Sequence, residues 1–279
     1  MKTKNKEGYS CRVENITPQV AAKMLEKNKH HNRTLGSRLV EKIKSDIENK
    51  LYILNGQPIV ISNQGNILDG QHRLTACVEA GLPITSLIVN GVSERAFVSM
   101  DCGRTRSSSD VLSCQGVSSA VQTSAITRLV ALIFKGNLGY NYPSEVLSTT
   151  EITNTYTAHP GISTSALWAT SARKIVSTTH LGFLHFWVMH HKPSLLSQMQ
   201  QLGDGLSTGI GLNKGSPILL LRERSLAERA QSGRRAKVRT HPGVQLALMI
   251  KAWNLSCKGS TSQQLRLSPE EAFPSIYIG

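Results

Sequence analysis

The chain is short of several features that would place it in a familiar class. No apolar run approaches the length needed to cross a bilayer. The opening residues, MKTKNKEGYSCR, are basic but lack the apolar stretch of a secretory signal. A soluble cytoplasmic protein with no membrane partner is expected. Cysteine is sparse: Cys11, Cys77, Cys102, Cys114 and Cys257 make an odd set without a CxxC pair, which argues against a disulfide framework and a zinc cage. They read as free thiols, with Cys77 and Cys114 expected inside. There is no internal repeat and no low-complexity tract. A G-x-S-x-G elbow and an HExxH pair are both missing, and neither GNLGYN nor GDGLSTGIGLNKG ends as a Walker A loop must. His180, His185, His190 and His191 are spaced so that they scatter around a helix, so no metal site is expected from them.

Acidic residues are also few. The 279 residues carry 32 Lys and Arg against 18 Asp and Glu, a formal net charge of +14. The excess sits at the two ends: residues 1–50 hold 12 basic and 6 acidic groups and residues 216–279 hold 10 and 4, while residues 51–112 hold 4 and 5. That distribution suits a polyanion gripped by flanking segments, because neutralising phosphates releases counterions. Nucleic acid, DNA above all, is the expected partner.

Periodicity divides the chain in two. In the first part short strands at Val13–Ile16, Pro58–Ser62, Ile67–Leu68 and Ile84–Val89 alternate with short helices. One helix starts at Pro18 behind a Thr17 cap, and another covers Ser37–Asn49. Beyond about residue 108 the pattern turns helical, over Ser109–Ser113, Ser118–Phe134, Glu145–Thr157, Thr164–His180 and Phe183–His191. Two further helices open at Ser216–Pro217 and near His241–Pro242, with QSGRRAKVRT between them. The fold class is therefore α+β: a small mixed domain over 1–112, then a mainly helical domain over 113–279 with a basic connector at 231–240.

What the sequence does contain is concentrated in ILDGQHRLTACVEAGL, residues 67–82. Ile67 and Leu68 end a buried strand, and Asp69–Gly70 turns tightly enough for backbone to approach a ligand. A helix then starts at Gln71–His72, with its positive dipole end facing the turn. Arg73 adds a forked partner for phosphate. Leu74, Cys77 and Val78 anchor the helix, and Gly81 stops it. A purely structural alternative has the same arginine and histidine bonding back to loop carbonyls.

GQHRLTA, at residues 70–76, resembles the GxxRxxA phosphate-binding signature of the ParB/sulfiredoxin-like domain. DGQHR resembles the motif of a group of ParB-like proteins from phages and mobile elements. The resemblance implies a ParB-like first domain that binds a phosphate or a nucleoside triphosphate, with Mg²⁺, through Gly70, Gln71, His72 and Arg73. Gln71 stands where sulfiredoxins need their cysteine, so sulfiredoxin chemistry is not implied. DCGRTRSSSDVL, residues 101–112, is similar to a segment of the same phage group. Arg104 and Arg106 would complete the phosphate site, or else pair with Asp101 and Asp110 across a hinge.

Two functions follow from these readings. One is a DNA-associated protein of a phage or mobile element, its connector residues Arg234, Arg235, Lys237 and Arg239 gripping nucleic acid. The alternative is a phosphate-ester enzyme: a nucleotidase, a kinase-like phosphotransferase or a nuclease. Asp69 would then be general base or Mg²⁺ ligand, His72 the acid/base, and Arg73 the stabiliser of the transferring group.

Overall fold

The computed structural model describes residues 3–4, 8–26, 35–100, 106–231, 240–268 and 270–279. The chain is a mixture of helix and sheet in two compact units, 1–105 with 146–151, and 106–145 with 152–279. The division falls at 105/106, where pattern alone put it at 112/113. Among the described residues no helix is long and apolar enough to cross a membrane.

The first unit is built on a five-stranded sheet of β1 (Thr3–Lys4), β2 (Ser10–Ile16), β3 (Pro58–Ser62), β4 (Ile67–Asp69) and β5 (Ile84–Val92), in the order β1-β2-β5-β3-β4. β2 runs antiparallel to β5, pairing Ile16 with Ile84 and Val13 with Leu87. β3 runs parallel to β5, pairing Ile59 with Ile88. Parallel neighbours cannot be joined by a hairpin, so the chain must cross over between them. β4 and α3 (Gln71–Ala80) make that crossing, which sets the GQHR segment at the sheet. α1 (Pro18–Glu26) and α2 (Ser37–Glu48) both pack against α3. Ile16, Ile59, Leu74, Ala76, Cys77, Ile84 and Ile88 form their shared core, while Val13 on β2 is exposed. Burial there is worth roughly 1.5–3 kcal/mol for each full-sized aliphatic side chain.

Several helix limits follow from capping chemistry. Thr17 Oγ1 accepts the Val20 N–H at 3.3 Å ahead of α1. Gly81, left-handed at φ 65°, ends α3 with its N–H on the Val78 carbonyl. A helix expected from Glu145 begins instead at α6 (Thr149–Ala158). The cause is a reciprocal capping box: the Ser148 N–H donates to Glu151 Oε2 at 2.7 Å, and the Glu151 N–H donates to Ser148 Oγ at 3.1 Å.

The second unit contains α4 (Ser108–Cys114), α5 (Ala120–Phe134), most of α6, α7 (Ile162–Trp168), α8 (Thr178–His191), α9 (Leu196–Thr208), α10 (Pro217–Gln231) and α11 (Pro242–Cys257). α8 and α11 are its centre. Leu246 to Ile250 is an unbroken buried run, so α11 is enclosed all round over that stretch. The last residues are extended and pinned to α11: Trp253 Nε1–H donates to the Tyr277 carbonyl at 2.9 Å, and Lys251 Nζ to Glu271 Oε1 at 2.8 Å. The continuous helix expected over 164–180 is broken between α7 and α8, where Ser177 Oγ caps α8 by accepting the His180 N–H. Cys114, expected inside, is exposed, because it ends the short α4; Cys77 is buried.

Candidate functional site

The 67–73 segment folds as strand, turn and helix within the first unit, and brings Asp69, Gly70, Gln71, His72 and Arg73 together at the start of α3. Gly70 is the N-cap and lies in the left-handed region at φ 101°. A side chain there would strain the backbone, and an added Cβ would lie 2.7 Å from Ile59 Cγ1 and 3.2 Å from Ile59 Cα. Glycine is demanded twice, by conformation and by the close approach of β3. Having no side chain, Gly70 supplies no cap to α3.

The charged groups hold one another. The Gly70 N–H donates to Asp69 Oδ1 at 2.6 Å. Arg73 reaches back along the turn: Nη2 donates to Asp69 Oδ2 at 3.0 Å and to the Pro58 carbonyl at 2.7 Å, and Nη1 to the Gln57 carbonyl at 2.6 Å. Its side chain is 12 % exposed. Of the two expectations for the guanidinium, a phosphate partner or a bond back to carbonyls, the structure shows the second: it is directed at three protein oxygens and staples the motif to the start of β3. Gln71 is buried. His72 Nε2 accepts the Gly36 N–H at 3.1 Å, so that nitrogen carries no proton and the helix end is tied to the start of α2. Tyr52 lies close by: burial pushes its phenol up, against the pull of Arg73 and a hydrogen bond with Ser86.

The donor set suits a phosphate better than a protein-held metal. It comprises a helix N-terminus, a half-buried imidazole whose Nε2 is taken by Gly36, and an arginine held by three protein oxygens, with one carboxylate in residues 69–73 that already holds two donors. Among the described residues no group of three His, Cys, Asp or Glu is placed to hold a metal ion.

The remaining candidates stand elsewhere. Arg104, Arg234, Arg235, Lys237 and Arg239 lie outside the described residues. Arg106 belongs to the second unit and is exposed beside Ser107. Asp110 completes a capping box for α4: the Ser107 N–H donates to its Oδ2 at 2.8 Å, and the Asp110 N–H donates to Ser107 Oγ at 3.2 Å. The buried histidines of α8 have polar partners. His180 Nε2 is 2.7 Å from the Tyr142 hydroxyl, and His185 Nδ1 is 2.9 Å from Ser165 Oγ. For Arg73 the structural alternative, bonding back to carbonyls, is the one the structure shows, whereas His72 meets an N–H, that of Gly36. Which residues supply these partners was not legible, because main-chain atoms carry no residue signature. Compared with protein-family models, curated proteins and solved structures, the chain matches none.

Proposed function

We propose that this is a DNA-associated protein of phage or mobile-element origin, acting in the host cytoplasm. Its first unit is a ParB-like domain that binds a nucleotide or a DNA phosphate at the start of α3. The observation that carries the reading is the β4–Gly70–α3 junction. A left-handed glycine with no room for a side chain turns a buried strand into the N-terminus of a helix that has no side-chain cap. Such an end attracts anions through its N–H groups and dipole. The charge of +14 supplies the long-range attraction to nucleic acid. Arg73 serves this site by fixing the turn, and any direct contact it makes with phosphate uses donors beyond those on Gln57, Pro58 and Asp69.

A panel of labelled ATP, CTP, GTP and duplex DNA, with and without Mg²⁺, tests the reading on the whole chain. The decisive variant is His72→Glu. Its carboxylate can still accept the Gly36 N–H and suits a helix N-terminus, but it sets a negative charge where phosphate would sit. Binding should fall at least about tenfold while the melting temperature holds, since like charges at contact cost more than 1.4 kcal/mol. Unchanged binding would remove phosphate from this junction. Turnover of a nucleotide or of DNA, lost in Asp69→Asn, would favour a phosphate-ester enzyme instead.

A further inference from the structure

In the second unit, rings from three helices gather at one place on the surface. Phe134 ends α5, His159 follows α6 directly, and Phe186, Trp187, His190 and His191 close α8. Phe134 stacks on His159 with centroids 5.0 Å apart and tilts against Trp187 at 5.5 Å. Trp187 lies 4.1 Å from His191, and His190 stacks on Phe186 at 5.4 Å and meets His159 edge-on at 5.2 Å. His191 Nδ1 is 2.8 Å from the Trp187 carbonyl, which fixes that ring against α8. Phe134 is 48 % exposed, and His190 and His191 are exposed.

The stretches of chain that carry the rings are basic. Lys135 and Lys192, both exposed, follow Phe134 and His191 in the chain. No Asp or Glu stands between Asp110 and Glu145, or between Glu151 and Asp204, so the parts of α5, α6 and α8 that bear the rings carry no carboxylate. The three imidazoles crowd one another: burial first, then His190 and His191, hold His159 below the usual histidine range. A partner must therefore bring flat π-faces and negative charge together. An acidic peptide brings charge with few flat rings, and an apolar helix brings neither. Unpaired bases on a phosphate backbone bring both, and duplex DNA hides its base faces.

We infer that the Phe134–His159–Trp187–His191 surface is a stacking platform for single-stranded nucleic acid. The site rests on the nucleic-acid reading given above but is separate from the β4–α3 junction, which would hold a phosphate without reading base faces.

The test compares a labelled twelve-nucleotide single strand with its duplex, titrated against the full chain and against Phe134→Ala and Phe134→Trp. Phe134 is half exposed, so both variants should melt close to wild type. Phe134→Ala should weaken single-strand binding roughly tenfold, as expected for the loss of one stacked base. The same change should alter duplex binding less than about twofold, and Phe134→Trp should retain the wild-type affinity. Equal single-strand binding by wild type and Phe134→Ala, or equal losses for single strand and duplex, would overturn the platform while leaving the nucleic-acid reading in place. A wild-type chain that binds neither form would end both.

Discussion

At the scale of single residues, Gly70 and Arg73 do different work in one turn. Gly70→Ala must adopt a left-handed backbone and push its Cβ to within 2.7 Å of Ile59 Cγ1. Those two terms together should cost roughly 2–4 kcal/mol. Urea unfolding measures the loss, and a change below about 1 kcal/mol would mean that β3 yields freely to the added methyl. Arg73→Ala removes the donors to two carbonyls and to Asp69, and should destabilise by about 3 kcal/mol. Arg73→Lys should recover only part of this, because an ammonium cannot fork across the carbonyls of Gln57 and Pro58. Equal stability of the lysine variant and wild type would show that charge alone holds the turn. The DGQHR string made this turn and its helix legible from sequence. It could not show where the arginine points, since the oxygens it finds belong to the main chain of residues sixteen and fifteen positions away.

Among the elements, α8 is the one whose stability should follow pH. His180 and His185 are buried, and burial holds both down to about 4 from the usual 6.5. Above 6.5 each is neutral whether folded or unfolded, and pH has no effect through them. Between 6.5 and about 4 the unfolded chain takes up protons that the folded chain refuses, so stability is lost as pH falls through that window and levels off below it. The two shifts amount to about 3 kcal/mol for each histidine. Denaturation at pH 7.5 and pH 5 should reveal the loss, and His185→Gln should shrink it by keeping a partner for Ser165 that does not titrate near neutrality. A stability that is flat from pH 7.5 to 5 would show that these histidines are hydrated. Sequence legibility at this scale depends on range. The helix expected from Ser109 starts at Ser108, one residue away, because its cap, Ser107, lies within three residues of its partner Asp110. The same logic at Ser148–Glu151 passed unread, and the start of α6 was misplaced. α9 was missed for a different reason. Its Gly203 and Gly205 are poor helix formers, yet a Cβ at Gly203 would lie 2.6 Å from Trp168 and one at Gly205 3.0 Å from Ile218, so close packing favours glycine inside the helix.

Over the whole molecule, charge leads to a prediction that needs no side-chain geometry. With a net charge of +14, DNA affinity should fall steeply with salt, by about a thousandfold between 50 and 200 mM for six neutralised phosphates. Replacing Arg234, Arg235, Lys237 and Arg239 together with Ala should flatten the logarithmic salt slope by about 3 to 4 units if each meets a phosphate. An unchanged slope would move the grip off this connector. Charge, the order of strands and helices, the tight Asp69–Gly70 turn and the proline-led helix starts were determined by the sequence itself, because each depends on composition or on residues a few positions apart. Tertiary structure alone decided that β3 pairs in parallel with β5, that Arg73 turns back to Gln57, Pro58 and Asp69, and that Phe134, His159, Trp187 and His191 meet. Apart from the Arg73–Asp69 pair, those outcomes join parts of the chain far apart in sequence, through backbone atoms common to every residue or through rings brought together only by packing. The tight turn at Gly70 belongs to both levels: its dipeptide could be read locally, while the absence of room for a side chain was set by β3 packed against it.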